Sequence, residues 1–254
     1  MNILVSNDDG IRAQGIYELV KALSVEANVY VCAPDEQKSA SGHGITIGRG
    51  IEVHDVYFDN AKFAMQIAGT PADCVKMGLR FLAMKDIRID MLFSGINHGG
   101  NLGTDTLYSG TVSAAIEGCL CGLPSVAISV NSHEPQHFDL ACTLAVNTLR
   151  KGFGKLDKNT VININAPNLP REEVKGVKYT KLGAREYEEL FHSKVDESGK
   201  LQYWYNAQPI FYEGLSSDID VIAMQEGYAT ITPLQYDFTN HALIQEIKSW
   251  RLEE

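Results

Sequence analysis

The chain has 254 residues, with 22 basic against 32 acidic side chains and a formal net charge of −10. Hydrophobic residues make up 44% of it, enough for a packed core and too many for a disordered chain. The acidic balance also argues against general binding of long nucleic acids, because that affinity rests on Lys and Arg neutralising phosphates.

The opening MNILVSNDDG has no basic segment ahead of a long apolar stretch, so no secretory signal is expected. No run approaches the ~18 apolar residues of a membrane span, and no membrane partner is expected. Asn2–Ser6 reads as a short strand, broken by Asn7-Asp8-Asp9-Gly10. Ile16, Leu19, Val20 and Leu23 then recur at helical spacing, and Asn28–Ala33 is a second strand stopped by Pro34. These three elements predict a βαβ unit with parallel strands and a right-handed crossover. Residues 35–44 (DEQKSASGHG) form a polar loop longer than a plain connector. Ile45–Val56 reads as one or two strands turning at Gly48-Arg49-Gly50. Pro71 sits at a helix start, with Val75, Gly78, Leu79 and Leu82 as the inner face.

Met91–Ile96 is the next strand and leads into the glycine-rich stretch Asn97–Thr111, NHGGNLGTDTLYSGT. An Ala-rich helix over Val112–Cys121, a strand over Ser125–Val130, a helix over Asp139–Arg150 and a strand over Thr160–Ile164 follow. The alternation predicts a doubly wound, mostly parallel α/β sheet filling a core of residues 1–170. Past Pro170 the tyrosines concentrate and both tryptophans appear. A hairpin is expected across Tyr187–Tyr205 with its tip at Asp196–Gly199, then a strand pair within Asp218–Pro233 and an amphipathic helix over His241–Leu252. Residues 171–254 thus read as a smaller β-rich extension, its aromatics serving an interface or a satellite core. Five cysteines, an odd number with no Cys-x-x-Cys pair, read as reduced thiols of a cytosolic protein.

In an open parallel sheet, ligands bind beyond the carboxyl ends of the strands. Asp8 and Asp9 follow the first strand, Ser39 and Ser41 lie in the loop after the second, and Asn97 ends the strand begun at Met91. Adjacent carboxylates repel each other, and a divalent cation relieves the repulsion. Mg²⁺ or Mn²⁺ takes hard oxygen ligands, so Asp8 and Asp9 would supply charge and Ser39 and Asn97 neutral oxygens. The plainer alternative is that Asp8 or Asp9 caps the helix beginning near Ala13. Ser109-Gly110-Thr111 falls where a helix should begin, and with Asn97 it offers donors suited to phosphate. No Gly-Lys-Ser/Thr is present, so this is not a P-loop, and a merely flexible loop is the alternative. His43 and His98 flank the region as candidate proton donors, Asp105 is a candidate to position the loop, and Asp218 and Asp220 read as loop residues.

These stretches carry a family resemblance. ILVSNDDG at 3–10, AP-x₄-SASGHGIT at 33–46, GTPADCV at 69–75, SGIN-x-GGNLGTDTLYSGTV-x-AA-x-EG at 94–118 and QEGYATITPL at 225–234 resemble the SurE survival proteins. The resemblance implies a metal-dependent nucleotidase that releases 5′- or 3′-phosphates, with some action on short polyphosphate. It implies metal ligation by Asp8, Asp9, Ser39 and Asn97, with one divalent cation per subunit. It also implies a cytoplasmic homodimer or homotetramer joined by swapped C-terminal elements. The expected reaction is hydrolysis of a nucleoside monophosphate. The phosphate is held by Asn97, Ser109, Gly110 and Thr111, and the water is activated by the cation or oriented by Asp9, with Asp9 and Asn97 as the catalytic pair. A non-catalytic nucleotide sensor would carry the same site without turnover. A phospho-receiver domain has about half this length, and a haloacid-dehalogenase phosphatase needs Asp-x-Asp where this chain has adjacent aspartates.

Overall fold

The computed structural model describes residues 1–188, 191–205, 208–210 and 215–253. Its first half runs β1 (Asn2–Ser6), α1 (Gln14–Leu23), β2 (Asn28–Pro34), β3 (Val53–Asp55), β4 (Phe63–Ile67), α2 (Pro71–Met84) and β5 (Met91–His98). A short 3₁₀ turn (Gly103–Leu107) leads into α3 (Gly110–Leu120), followed by β6 (Ser125–Asn131), α4 (Asp139–Gly152) and β7 (Thr160–Pro167). The C-terminal part adds β8 (Val177–Tyr179), β9 (Tyr187–Glu188), β10 (Phe191–Val195), β11 (Leu201–Tyr205), β12 (Gln208–Pro209), α5 (Asp220–Gln225), β13 (Ala229–Gln235) and α6 (Ile244–Ser249).

One nine-stranded sheet has the order β3-β4-β2-β1-β5-β6-β7-β13-β8. Its six central strands are parallel and, counted in chain order, lie 3-2-1-4-5-6, the Rossmann arrangement. The chain reverses its winding direction between β1 and β5, so the crevice opens at the carboxyl ends of those two strands. Ile16, Leu19, Val20 and Leu23 of α1 pack with α4 on one face, and α2 and α3 cover the other. Where α1 crosses β5 the fit allows no side chain, since a Cβ on Gly15 would stand 1.9 Å from the Ile96 carbonyl oxygen.

The strand–helix alternation and most boundaries match the sequence pattern to within a few residues, and the 196–199 tip joins β10 to β11 as expected. Four readings change. The parallel strand β4, too short and mixed in polarity to stand out, is essential to the sheet. Of Ile45–Val56 only Val53–Asp55 is a strand, antiparallel at the sheet edge, because Ile45 and Ile47 face solvent instead of a core. Within Asp218–Pro233 the expected strand pair is helix α5 followed by a single strand, β13. Helix is confined to Ile244–Ser249 in the terminal segment, and it buries no residue within this chain. No helix among the described residues is long and apolar enough to cross a membrane.

Asp220 is a fully buried member of the first turn of α5, not a loop residue. Its carboxylate accepts from the Gly103 N–H at 2.7 Å, the Gly183 N–H at 3.0 Å and the Val221 N–H at 2.8 Å. It ties the glycine loop to the C-terminal part of the chain. Removing it leaves buried donors without acceptors, so Asp220→Ala should lower stability by about 3 kcal/mol in urea unfolding. A loss within experimental error would show that the tie contributes nothing.

Candidate functional site

The site is built on the turn after β1. Asn7 closes that turn by donating from Nδ2 to the Gly10 carbonyl at 2.8 Å. Asp8 is buried beneath the start of α3, where its Oδ1 accepts the Thr111 hydroxyl. The contact requires glycine at the first helical position, since a Cβ on Gly110 would come within 2.7 Å of Asp8 Cβ. Asp9 is held from two other elements: its Oδ2 accepts the His98 N–H at 2.9 Å and its Oδ1 the Gln37 amide at 3.2 Å. Neither aspartate caps α1, whose N-cap Ala13 receives no side-chain bond.

Burial pushes the Asp8 carboxyl up to about 6; the Thr111 hydrogen bond opposes this and the neighbouring Asp9 charge adds to it. Burial also raises Asp9, against the His98 N–H, the His98 ring, Gln37 and His133. A carboxylate pair pushed upward in this way is a poor resident alone and a good one beside a cation. Among the described residues no three His, Cys, Asp or Glu side chains cluster to hold a metal. A cation here would therefore rest on two carboxylates completed by neutral oxygens, the donor set that suits Mg²⁺ or Mn²⁺. Buried polar atoms without a partner among the described residues, Asn7 Oδ1, Ser41 Oγ and His98 Nε2, border the same turn and loops.

The other predicted residues gather around this pair to different degrees. Asn97, at the end of β5, donates from Nδ2 to the Gly99 carbonyl at 2.7 Å and is half-buried. Ser39 is exposed on the loop after β2, next to Lys38, whose N–H donates to the Asp8 carbonyl at 2.7 Å. Ser109 is the N-cap of α3, its Oγ accepting the Val112 N–H at 3.0 Å. The Thr111 hydroxyl is committed to Asp8. His43 lies 2.9 Å from Glu117 instead of facing the aspartates. Asp105 accepts from Arg185 at 2.8 Å and from the Tyr187 hydroxyl, which fixes it as a tie between the glycine loop and the segment after β8.

Several supporting residues were not singled out from the sequence. The buried Asn101 donates its N–H to Asn165 Oδ1 at 2.8 Å and its side chain to Ser129 Oγ at 2.8 Å, and its carbonyl accepts from Asn163 at 2.9 Å. This network fastens the glycine loop to the ends of β6 and β7. The signal was the pair of asparagines at alternate positions in TVININ, polar residues inside an otherwise apolar strand. His133, in the loop after β6, packs over Gly99, where a Cβ would be 3.4 Å from its Cε1. Nothing in its local sequence marks it.

Comparisons with known proteins show the family and the fold. A family model described as "Survival protein SurE" matches residues 3–189. A protein of Petrotoga mobilis named 5′-nucleotidase SurE is 42% identical over 255 residues, which cover 98% of this chain and 99% of that relative. One of the same name from Pelotomaculum thermopropionicum is 42% identical over 250 residues, covering 98% and 94%. The crystal structure of the Sure protein from Aquifex aeolicus matches with a TM-score of 0.84 at 36% identity, covering 98% of this chain and 99% of that one.

Two outcomes follow from the contacts. Gly110→Ala should displace Asp8 and lower catalytic efficiency at least ~10-fold, measured as phosphate release, while the fold by circular dichroism stays intact. Glu117 is pushed up by burial, but His43 and Lys76 outweigh this and hold it below its ordinary value of 4.5. A depressed carboxylate stabilises fully above its unfolded value, and that contribution is lost as pH falls through the lower folded value. Glu117→Gln should therefore flatten the acid limb of the stability curve below about pH 4.3, read by denaturant unfolding at a series of pH values.

Proposed function

This chain belongs to the SurE survival-protein family, and from that premise we infer that it is a 5′-nucleotidase, a phosphohydrolase of nucleoside monophosphates. The observation that carries the reading is the Asp8–Asp9 pair at the crossover of β1 and β5, Asp8 buried under the first turn of α3 and Asp9 partly exposed beside it. The enzyme is metal-dependent, and Mg²⁺ or Mn²⁺, one ion per subunit, is the cation the oxygen-rich surroundings favour. Asp8, Asp9, Ser39 and Asn97 would hold it. Once bound, the cation supplies charge neutralisation and Lewis-acid polarisation for the phosphoryl group.

The residues of the chain do the rest. Gly110 and Thr111 open α3, so the helix end presents main-chain N–H groups and the positive end of its dipole to the phosphate. Ser109 accepts from Val112 while its own hydroxyl proton stays available to a phosphoryl oxygen. Thr111 spends its hydroxyl on Asp8, so its share in phosphate binding falls to the main chain. Asn97, whose Nδ2 is committed to the Gly99 carbonyl, would give its side-chain oxygen to the cation and would border the phosphate. Asp9, with both oxygens oriented by His98 and Gln37, aligns the attacking water and accepts its proton, while the phosphate ester bond breaks in line and the departing nucleoside oxygen takes up a proton from solvent. Hydrolysis of 3′-phosphates or short polyphosphate would use the same centre, since every contact is to phosphate.

Residues 1–170 carry the catalytic site in this reading, and within residues 171–254, whose β8 and β13 extend the central sheet, the hairpin and the terminal segment join subunits into a homodimer or homotetramer. Two features support the second assignment: Phe191, Tyr203 and Trp204 expose aromatic surface on the β10–β11 hairpin, and Ile244, Ile247, Trp250 and Leu252 expose apolar surface at the terminus. We place the enzyme in the cytoplasm with mononucleotides as its partners, and with neither long nucleic acid nor membrane.

Phosphate release from a panel of nucleoside monophosphates should require Mg²⁺ or Mn²⁺ and vanish in EDTA. Asp8→Asn or Asp9→Asn should each cost at least ~100-fold. Full activity in EDTA would overturn the metal reading. Deleting residues from His241 onward should lower the sedimentation mass, and an unchanged mass would remove the terminal segment from assembly.

A further inference from the structure

The motifs contain a glutamate and a histidine that the reaction described above does not use. Glu117, on α3, is 2% exposed, yet it is a carboxylate, and three elements meet on it. His43 Nε2 lies 2.9 Å from its Oε2, Lys76 of α2 donates to its Oε1 at 2.8 Å, and the Cys121 thiol lies 3.6 Å from Oε1. Lys76 balances the charge from the solvent side, its side chain half exposed. His43 belongs to the loop between β2 and β3, which carries Ser39 and has no secondary structure from 39 to 50.

That loop is held by side chains and isolated backbone bonds. Lys38 N–H bonds to Asp8 O at 2.7 Å, and Gly42 N–H to Tyr108 O at 3.1 Å. Beyond His43, Thr46 donates its N–H and hydroxyl to Asp73 of α2, at 3.0 and 2.6 Å. Between the first two anchors Ala40 has φ +53°, a left-handed conformation that an L-residue keeps only when its surroundings impose it. The loop is therefore poised to relax once its ties are cut.

We propose that Glu117 is a positioning residue for the nucleotidase: acting through His43, it clamps the loop that presents Ser39 and keeps that hydroxyl at the mouth of the site. The inference rests on the reading of Ser39 as a cation ligand. His43 lies four positions after Ser39, a reach of at most about 14 Å, and Lys38 remains tied, so loss of the clamp loosens the loop without releasing it. The effect is a partial one by construction.

The test uses the full chain and the variants His43→Ala, Glu117→Gln and both together. In metal-free protein, hydrogen exchange of amides in 39–46 should quicken at least ~10-fold in each single variant, with β1 and β5 unchanged. Titration calorimetry with Mn²⁺ should show affinity falling about 3- to 10-fold, and kcat/KM for a nucleoside monophosphate should fall in proportion. The double variant should be no worse than the worse single one, because both cut the same tie. A lowered melting temperature with unchanged loop exchange and unchanged Mn²⁺ affinity would overturn the proposal by showing a structural role only. If Glu117→Gln fails to fold, His43→Ala decides alone. Should the unaltered protein bind no Mn²⁺, the cation reading falls, while loop exchange still decides the clamp.

Discussion

Two adjacent carboxylates sit at the carboxyl end of the central strand, one of them buried, and the rest of the site is arranged around that constraint. Charge of one sign in a confined space is costly unless donors, a dipole or a cation offset it. The chain supplies the first two. Thr111 and the start of α3 face Asp8, while the His98 main chain and Gln37 face Asp9. The third comes from solution. Because the offsets come from α3, β5 and the loop after β2, the pair can exist only where these elements converge, at the point where the sheet changes its winding direction.

The same device recurs away from the centre. Asp73 holds Thr46, Glu117 holds His43, Asp105 holds Arg185 and Tyr187, and Asp220 holds Gly103 and Gly183. Each carboxylate lies on a regular element or a tight turn, and most of the donors it accepts from belong to irregular segments. Loops rich in glycine and small polar residues bury little apolar surface, so packing alone would not fix them. Directional bonds to a buried anion do so, because leaving such an anion without its donors costs more than the bond contributes when made. Acidic residues thus serve as fasteners in this molecule, and part of its negative charge is internal structure.

That use of charge bears on the substrate. A chain of formal charge −10 must accept an anion, and the long-range field of its surface opposes this. In the proposed reading the opposition would be overcome locally, by the helix end at Ser109–Thr111 and by a cation on Asp8 and Asp9. A single phosphate fits such a centre, whereas a long nucleic acid would meet the unfavourable surface along its whole length.

The sequence by itself determined the class of the fold and named the candidate residues. Alternating strands and helices follow from local periodicity, and Asp8, Asp9, Ser39 and Asn97 could be named as candidates because each falls at or beyond the end of a strand in a sheet whose binding edge is known in advance. Local pattern failed where a segment's state depends on a distant partner. Ile45 and Ile47 lack a sheet to face, β4 needs β2 and β3 beside it, and Asp220 makes its bonds with residues far away in the chain. Only the tertiary structure decided that His43 turns to Glu117, that Thr111 spends its hydroxyl on Asp8, and that Asn101, Asn163 and Asn165 fasten the glycine loop. A hydrogen bond is a relation between two places. The sequence lists the groups able to form one, and the fold chooses which of them meet.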